Sequence, residues 1–289
     1  EDYSFSGCTS LPSITIPDSV KHIGHWVFRE CTNLSSINLP NFIETIGAGM
    51  FYKCTNLKSI TIPDSVTNIG RLAFYDCIGL TSLSIPSAVR LIDDESFEYC
   101  TNLASITVDD NNERFCDIDG NLYNKDKTKL LQYAIGKKDT SFVIPNSVVY
   151  VCSYSFSNCD SLTSITIPDS VTHIGGASFS DCDNLLSVTI PNSVTVIASW
   201  AFDNCKSLKS ITIKNPDCKI DDSKFTICNV ADFHDAYFDG TIYGYKDSTA
   251  QSYAESWGYN FASIGSAPTA SAESNSVYTV GASYTIARS

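Results

Sequence analysis

Residues 54–76 read CTNLKSITIPDSVTNIGRLAFYD, and residues 77–99 read CIGLTSLSIPSAVRLIDDESFEY. Both stretches begin with a cysteine and place aliphatic residues and a phenylalanine at the same positions. A unit of about 20–50 residues that recurs at a fixed period predicts a solenoid, because one unit cannot bury its apolar face alone whereas stacked units can. The two stretches therefore predict a repeat protein.

Cysteine and phenylalanine columns mark the period along the chain. Successive cysteines within each of two groups are 23 residues apart, and the coil between Cys100 and Cys159 is longer than the others. The cysteine column is Cys8, Cys31, Cys54, Cys77, Cys100, Cys159, Cys182, Cys205 and Cys228. The phenylalanine column is Phe5, Phe28, Phe51, Phe74, Phe97, Phe156, Phe179, Phe202 and Phe225.

Each unit predicts two short strands and a tight turn. The segment from Ser59 to Ile62 alternates polar and apolar residues, which is typical of a strand with one face inward. Pro63 ends this strand because proline brings no N–H donor to a ladder. A second short strand is predicted at Ile69, and a tight turn or short helix at Phe74 places that ring in the core.

The recurring pattern C-x-x-L-x-S-I-x-I-P-x-S-V-x-x-I-G-x-x-A-F-x-x-C resembles the BspA-like leucine-rich repeat proteins over residues 1–264. The expected fold is an α/β solenoid, a right-handed superhelix of about ten 23-residue coils with short parallel strands, mostly β structure and turns, and a small α/β C-terminal cap. The resemblance implies a secreted or surface-attached bacterial protein, with an extracellular or cell-surface location. It further implies a role in adhesion or in binding to host or other cell surfaces.

The largest departure from the period is the long coil at residues 109–144. Two extended segments, residues 116–123 and 129–133, flank a turn-like segment at residues 124–127. This pattern predicts a β-hairpin that replaces the usual phenylalanine turn. It is interpreted as an alternative structural coil, with a binding protrusion as the other reading.

The end of the chain predicts a cap. Residues 1–228 are assigned to the repeats, starting inside a repeat whose N-terminal part is truncated, and residues 229–265 to a capping segment. Ser248 with Gln251 forms a capping-box pattern, and Gly258 lies where a helix C-terminal glycine belongs. Ala250, Tyr253, Ala254 and Trp257 fall on one predicted helix face. Residues 266–289 are assigned to a linker or tail.

Composition argues against several function classes. The chain of 289 residues has 19 Lys and Arg against 32 Asp and Glu, a formal charge of −13. Such a chain is poorly suited to bind nucleic acid or to sit on an anionic membrane surface. No apolar run approaches the length of about 18 residues that a membrane helix requires. The expected partner is a protein or glycan on a cell surface or matrix. The chain is expected to be a monomer, with end-to-end stacking of the uncapped fragment as the alternative.

The cysteines are interpreted as buried, reduced thiols. Nine of them occupy one column of a solenoid, where free cysteine acts as a small hydrophobe. Cys116, Cys152 and Cys218 lie outside the column, so whether they form a disulfide is left open. The chain contains no C-x-x-C pair, which makes a structural zinc site improbable.

No catalytic or cofactor motif is present in the sequence, so no catalytic residue, cofactor or metal ligand is assigned. The carboxylates Asp93, Asp94, Glu95 and Glu98 resemble in composition what a glycosidase requires. They fall at variable turn positions and are interpreted as a solvated surface cluster. A metal or catalytic role for His234 near the cap is considered and set aside.

Two surface rows are candidate binding sites. The first is a hydroxyl ribbon of outward strand positions, represented by Ser59, Thr61, Ser82 and Ser84. Its alternative explanation is a uniformly soluble sheet face. The second row is aromatic and lies near the phenylalanine turns. The alternative there is that each ring leans on the next coil as partial core. The aromatic row comprises Trp26, Tyr52, Tyr75, Tyr99 and Trp200.

The predicted function is a non-enzymatic extracellular binding module, acting in adhesion or in recognition of a surface protein or glycan. A structural spacer that displays another domain is the first alternative. A glycosidase-like enzyme is a distant second, because a strongly periodic solenoid rarely provides a cleft with two converging carboxylates.

Overall fold

The computed structural model describes residues 1–231 and 235–268. Within them the chain forms a parallel β-solenoid of about 11 turns, so the predicted fold class is confirmed and the predicted coil number is about one too low. Of the linker or tail assigned to residues 266–289, the part from residue 269 onward lies outside the described residues, and so does His234.

The described residues form strands on two faces of the solenoid and one helix near the C-terminus. In chain order the elements are β1 (Ser13–Thr15), β2 (Ser36–Asn38), β3 (Thr45–Ile46), β4 (Asn68–Ile69), β5 (Ser82–Ile85), β6 (Leu91–Ile92), β7 (Ser105–Val108), β8 (Phe115–Ile118), β9 (Asn121–Asn124), β10 (Lys129–Gln132), β11 (Ser141–Val143), β12 (Tyr150–Val151), β13 (Ser164–Thr166), β14 (His173–Ile174), β15 (Ser187–Ile190), β16 (Val196–Ile197), β17 (Ser210–Ile213), β18 (Lys219–Ile220), β19 (Val230–Ala231), β20 (Ala236–Tyr237), β21 (Thr241–Lys246), α1 (Thr249–Trp257) and β22 (Asn260–Ser266).

The first sheet face contains the predicted polar–apolar strands. Its parallel pairs are β1 with β2, β5 with β7, and the series β11-β13-β15-β17-β21-β22. Leu83 and Ile85 in β5 are buried, whereas Ser82 and Ser84 are exposed, as the alternation predicts. Residues 59–62 were predicted to form such a strand but form no regular strand, although Ile62 is still buried.

The second sheet face carries two-residue strands in parallel register. Asn68 in β4 pairs with Leu91 in β6, and the corresponding series in the C-terminal coils is β18-β16-β14-β12-β10. Ile69 is buried, so the second predicted strand is confirmed. Short strands suffice here because each coil needs only one inward aliphatic side chain before the chain turns.

The third face, here called the Phe-turn face, is built from tight turns. In each regular turn, the residue two before the core phenylalanine and the residue two after it have positive φ. Such a conformation costs a non-glycine residue about 1–2 kcal/mol. The turn also points three backbone N–H groups at the next coil. Tyr3, Phe5 and Gly7 donate to the carbonyls of His25, Val27 and Arg29 at 3.0, 2.9 and 2.7 Å. This axial ladder offsets the strain, and no helix forms at Phe74.

The phenylalanines of these turns stack inside the solenoid. Ring centroids of successive phenylalanines are 5.4–5.9 Å apart in the N-terminal coils and 4.9–5.1 Å apart in the C-terminal coils. Phe51 and Phe179 are fully or almost fully buried. Parallel stacking at this distance gives each coil a large apolar contact with both neighbours.

The cysteine column closes each turn. The Sγ of Cys54 donates to the carbonyl of Phe28 at 3.0 Å, and the Sγ of Cys77 donates to that of Phe51 at 3.1 Å. Burial raises the pKa of the Cys100 thiol to about 12, which suppresses the reactive thiolate. All twelve cysteines are free, including Cys116, Cys152 and Cys218, about which the sequence left a disulfide open.

The long coil is a three-stranded antiparallel meander rather than the single predicted hairpin. β8 pairs with β9, and β9 pairs with β10. The turn missed by the prediction lies at Asp119 and Gly120, both with positive φ, inside the segment read as one strand. After β10, Tyr133 fills the phenylalanine position, with its ring 5.1 Å from that of Phe156.

The long coil also divides the hydrophobic core. One buried cluster extends from Val27 to Leu122, and a second extends from Tyr123 to Tyr259. Within the described residues, no backbone hydrogen bond joins the turn at residues 93–99 to residues 129–136. The axial ladder of the Phe-turn face is therefore interrupted at this junction, where side-chain hydrogen bonds of Tyr99 with Asn158 and of Tyr154 with Glu95 join the two blocks instead.

Helix α1 packs over the last coil. Ser248 is its N-cap and accepts from the N–H of Gln251 at 3.3 Å, and Gly258 ends it with a φ of 70°. Tyr253 is buried and its hydroxyl donates to the carbonyl of Ser223 at 2.8 Å. Trp257 was placed on the buried helix face but is 37% exposed, because α1 ends there and the ring projects past the coil. No helix in the described part of the chain has the length and apolarity to cross a bilayer.

Candidate binding site: an aromatic ladder and an acidic notch

A row of rings runs along the Phe-turn face of the N-terminal coils. We call it the aromatic ladder. Tyr52 stacks on Tyr75 at 4.8 Å with an interplanar angle of 9°, and Tyr75 contacts Tyr99 at 5.0 Å. Trp26 meets Tyr52 edge to face at 5.5 Å and Tyr3 at 6.4 Å. The sequence prediction of adjacent surface aromatics is thus realised as one continuous array.

The rings are partly core and partly surface. Trp26 leans over the next coil, where a Cβ at Gly49 would clash with its six-membered ring. Gly49 also has a φ of 58°, so glycine is favoured there for two reasons. Trp26, Tyr52, Tyr75 and Tyr99 are all half-buried. Neighbouring rings therefore pack on each other, most closely Tyr52 on Tyr75, while all four side chains remain partly exposed.

The ladder also contains the chain's own cations. The guanidinium of Arg29 lies 5.7 Å from the ring centroid of Tyr52, and the ammonium of Lys53 lies 5.4 Å from it. At these distances the positive charge is attracted by the ring quadrupole. On the N-terminal part of the Phe-turn face, cations and rings of the same chain therefore contact each other.

Where the axial ladder is interrupted, the surface opens into a concave site of about 420 Å³, here called the notch. Its walls come from both blocks of coils. Both rings and carboxylates line it. The lining includes Tyr52, Tyr75, Tyr99, Tyr154 and Trp200 among the rings, and Glu95, Glu98, Asp181 and Asp203 among the acids.

One of the four notch carboxylates is neutralised by the chain. The Nη2 of Arg71 lies 2.8 Å from Oε2 of Glu95, and the contact is bidentate. None of the ion pairs within the described residues includes Glu98, Asp181 or Asp203. The notch therefore holds three carboxyl groups that form no salt bridge with the described residues, although Arg71 and Lys206 act on Glu98 and Asp181 at longer range.

Two of these carboxyls, Glu98 and Asp203, lie in an environment that disfavours their charged form. Burial, reinforced by the charges of Glu95 and Asp181, raises the pKa of Glu98 to about 7, and Arg71 opposes the shift. Burial also raises the pKa of Asp203, whose Oδ1 accepts from the Sγ of Cys228 at 3.1 Å. Asp181 accepts from Nδ2 of Asn204 at 2.6 Å. Neutral donors therefore satisfy part of Asp181 and of Asp203 without removing their charge.

The notch rings from the C-terminal coils differ from those of the ladder. Among the ring contacts of the described residues, none includes Tyr154 or Trp200, since Ala177 occupies the coil between them. Trp200 is 50% exposed. Burial and the charges of Glu95 and Glu98 raise the pKa of Tyr154 to about 12, so its hydroxyl stays protonated as a donor.

The hydroxyl ribbon lies elsewhere. Ser59, Thr61, Ser82 and Ser84 are all exposed on the first sheet face, away from the notch residues. A cross-strand contact of the expected kind joins Nδ2 of Asn38 to Oγ1 of Thr15 at 3.3 Å. The ribbon is flat and lacks the rings and charged groups that the notch combines.

The structure brings four of the five predicted aromatic residues to the notch, namely Tyr52, Tyr75, Tyr99 and Trp200, and leaves Trp26 near the other end of the ladder. Sequence reasoning missed the acids across the junction. It also left Tyr154 out of the candidate site, although Tyr154 lies two residues before a core phenylalanine, as Trp26 and Trp200 do. The missed signal was the long coil itself, since a coil without its phenylalanine turn leaves a gap in that face. Glu98 was placed in a solvated cluster, but it is half-buried in the notch.

The acidic groups are not arranged as a metal site. Within residues 1–231 and 235–268, no group of three or more His, Cys, Asp or Glu could hold a metal ion. The notch carboxyls are therefore spread around a space larger than a bare ion requires.

The sequence matches the family described as BspA type leucine rich repeat region over residues 1–125 and 134–239, in six copies. The chain belongs to this family, which confirms the resemblance seen in the repeat pattern.

Solved structures agree with this assignment. A leucine rich cell surface protein from Faecalibacterium prausnitzii is 27% identical, with a TM-score of 0.63 over 80% of this chain and 72% of that one. A leucine-rich repeat protein from Eubacterium ventriosum is 24% identical, with a TM-score of 0.62 over 75% of this chain and 63% of that one. The pneumococcal vaccine antigen PcpA is 22% identical, with a TM-score of 0.51 over 88% of this chain and 78% of that one. The last two show the fold alone. No match was found among curated proteins.

Proposed function

We propose that the chain is a non-enzymatic binding module that acts outside the cell, in adhesion or recognition of a protein or glycan partner on a cell surface or matrix. Its binding surface is the Phe-turn face, where the aromatic ladder leads into the notch. The observation that carries the proposal is this continuous array of ring edges ending in a concave site. Half-exposed rings beside a pocket are typical of interface hot spots.

The scaffold supports this function. Stacked coils hold the ladder and the notch on rigid elements, so little ordering entropy is lost when a partner binds. The similarity to a leucine rich cell surface protein from Faecalibacterium prausnitzii supports the location. Because the family and the similar structures are repeat proteins, and none of them is named as an enzyme, a binding role is favoured over catalysis.

A binding screen tests the proposal. The chain is labelled and titrated against extracellular-matrix proteins, mucins, bacterial cell walls and glycans at about 20 mM and about 200 mM salt. A saturable hit is expected, and it should weaken at least about tenfold when Tyr52, Tyr75 and Tyr99 are changed to serine, because those edges supply the contact.

The matched control removes hydroxyls from the other candidate row, with Ser59, Ser82 and Ser84 changed to alanine and Thr61 to valine. These positions are exposed on the first sheet face, so the variant should bind as the original chain does. A thermal melt of both variants verifies that they are folded. Equal loss in the control, or no saturable binding to any surface in the panel, would overturn the proposal.

A further inference from the structure

We infer that the notch is a receptor for a basic side chain, the guanidinium of an arginine or the ammonium of a lysine in a partner protein. This inference rests on the proposed binding function and specifies its ligand chemistry. The occupant enters between the turn of Tyr99 and the coils of Tyr154 and Trp200, and its charge faces Glu98, Asp181 and Asp203.

The first argument is the uncompensated charge. Three carboxyl groups converge on one concave site, and none of them forms an ion pair with the described residues. Burying a carboxylate and placing like charges beside it are both unfavourable, and the raised pKa of Glu98 reflects burial first and the neighbouring charges second. A cation placed among them would remove that cost.

The second argument is that the same face already pairs cations in this way. Arg29 occupies the position directly after a core phenylalanine and lies over the ring of Tyr52 on the next coil. Arg71 forms a bidentate pair with Glu95 at the edge of the notch. The chain thus shows, with its own arginines, both contacts that a foreign basic side chain would make.

The third argument concerns which ligands the site does not suit. A bare metal ion needs ligands about 2.0–2.6 Å away, and the acids are not arranged for one. The faces of Tyr52 and Tyr75 cover each other at 4.8 Å, so a sugar would have to stack on the exposed ring of Trp200. A cation can contact a ring face, a hydroxyl oxygen and a carboxylate at the same time. In the notch these groups are supplied by Trp200, by Tyr154 and by the acidic residues.

Net charge agrees with this choice. The chain carries a formal charge of −13, so a basic segment is attracted over a distance of about 8 Å at physiological salt before it contacts the surface. This attraction increases the rate at which any cation encounters the chain. The notch then determines where on the surface the basic side chain binds.

Nuclear magnetic resonance of the tryptophan indoles tests the inference, because the chain has three tryptophans in separate places. Trp200 lines the notch, Trp26 lies near the start of the ladder and Trp257 lies at the end of α1. The probe is a blocked peptide of alternating arginine and glycine, with lysine and citrulline versions. The arginine and lysine peptides should shift the Trp200 indole saturably and leave the other two signals in place. Citrulline, which keeps the shape without the charge, should bind at least about tenfold more weakly.

Variants separate notch binding from general attraction. Glu98→Gln and Asp181→Asn should each weaken the arginine peptide about tenfold at low salt. Their matched controls are Glu44→Gln and Asp64→Asn, exposed residues on other faces that change the net charge equally. Asp203→Arg replaces a negative charge in the notch with a positive one, so binding of the arginine peptide should be lost. The fold should tolerate this change, because Arg29 already occupies the same repeat position, directly after a core phenylalanine, in another coil. Equal weakening by the controls would overturn the inference.

The outcomes also distinguish this inference from the proposed function. If a surface partner needs the ladder tyrosines but not Glu98 or Asp181, the function stands and the basic-ligand inference fails. If neutral oligosaccharides of glucose or N-acetylglucosamine shift Trp200 and arginine peptides do not, the inference fails in favour of a glycan. If arginine peptides saturate the notch while every surface in the panel is blank, the inference stands and the proposed function fails.

Discussion

The coils before residue 109 and those after residue 144 share one backbone and differ in what they show to solvent. Both blocks stack their core phenylalanines and place positive-φ residues on either side of them. In the first block the surface rings stack on each other and on Arg29 and Lys53. In the second block the positions directly after the core phenylalanine hold Ser157, Ser180 and Asp203. Its surface rings, Tyr154 and Trp200, lie two residues before the core phenylalanine and are separated by Ala177. The repeat position therefore determines where a surface ring lies. The residues on the adjacent coils determine whether that ring packs against the chain or remains accessible to a ligand.

The largest expected effect tests whether the two blocks are separate in their cores. Phe51→Ala and Phe179→Ala each remove a buried ring from a different cluster and should lower the free energy of unfolding by about 3–5 kcal/mol. Hydrogen exchange read by mass spectrometry should show that each substitution opens its own block.

Phe5→Ala is the control, because Phe5 is 37% exposed on the first coil and should cost less than about 1 kcal/mol. If Phe51→Ala accelerates hydrogen exchange equally on both sides of the long coil, the molecule has one cooperative core, and the two blocks do not unfold separately.

The second prediction concerns the notch at the boundary. Because the pKa of Glu98 rises from its ordinary value of 4.5 to about 7 on folding, the folded chain binds this proton more tightly than the unfolded chain. The stability due to Glu98 is therefore greatest below about pH 4.5 and declines as the pH rises toward 7. Glu98→Gln imitates the protonated form, so it should be nearly neutral at pH 5 and stabilising by about 1–3 kcal/mol at pH 8.

Denaturant titrations at the two pH values measure this difference, with Glu44→Gln as the exposed control. A Glu98→Gln effect that is the same at pH 5 and pH 8 would mean that the notch does not hold this carboxyl in a costly environment.

The third prediction addresses the surface rings directly. In a double-mutant cycle, Tyr52→Ala and Tyr75→Ala should couple by about 0.5–1.5 kcal/mol because the rings stack at 4.8 Å. The cycle of Tyr154→Ala and Trp200→Ala should give a coupling near zero, since those rings do not touch each other. Similar couplings in both cycles would remove the distinction between structural and available rings.

The smallest effect is expected on the first sheet face. Ser82→Ala and Ser84→Ala change exposed side chains in β5 and should alter the free energy of unfolding by less than about 0.5 kcal/mol each. A thermal melt suffices for this measurement. A larger loss would show that the hydroxyl ribbon contributes to the sheet.

Much of the scaffold could be predicted from columns. Inward positions such as Leu83 and Ile85, the turn at Phe74 and the capping box at Ser248 follow from local patterns whose physics needs no partner. The long coil was predicted less well, because the Asp119 and Gly120 turn sits inside a segment that reads as continuous strand. The positive φ angles at Trp26 and Leu72 could not be predicted from residue type, because the axial hydrogen bonds between coils impose them.

The notch was not predictable in the same way. Its two walls, around Glu98 and Asp181, come from coils far apart in sequence, and they meet only because the intervening coil lacks a full phenylalanine turn. The repeat columns imply that all coils are equally spaced on every face, so they do not predict a gap on one face. The raised pKa of Glu98 likewise depends on burial and on charges from both walls, which no single repeat contains.

The thiols of the cysteine column bear on how such a chain can change its length over generations. Each regular Sγ donates to the carbonyl of the preceding coil, so no cysteine depends on a covalent mate elsewhere. A gene segment that encodes one 23-residue unit can be duplicated or deleted and still leave every remaining thiol satisfied. In a solenoid stapled by disulfides, the same event would strand an odd sulfur. Unpaired cysteines therefore make this architecture tolerant of growth and loss one coil at a time.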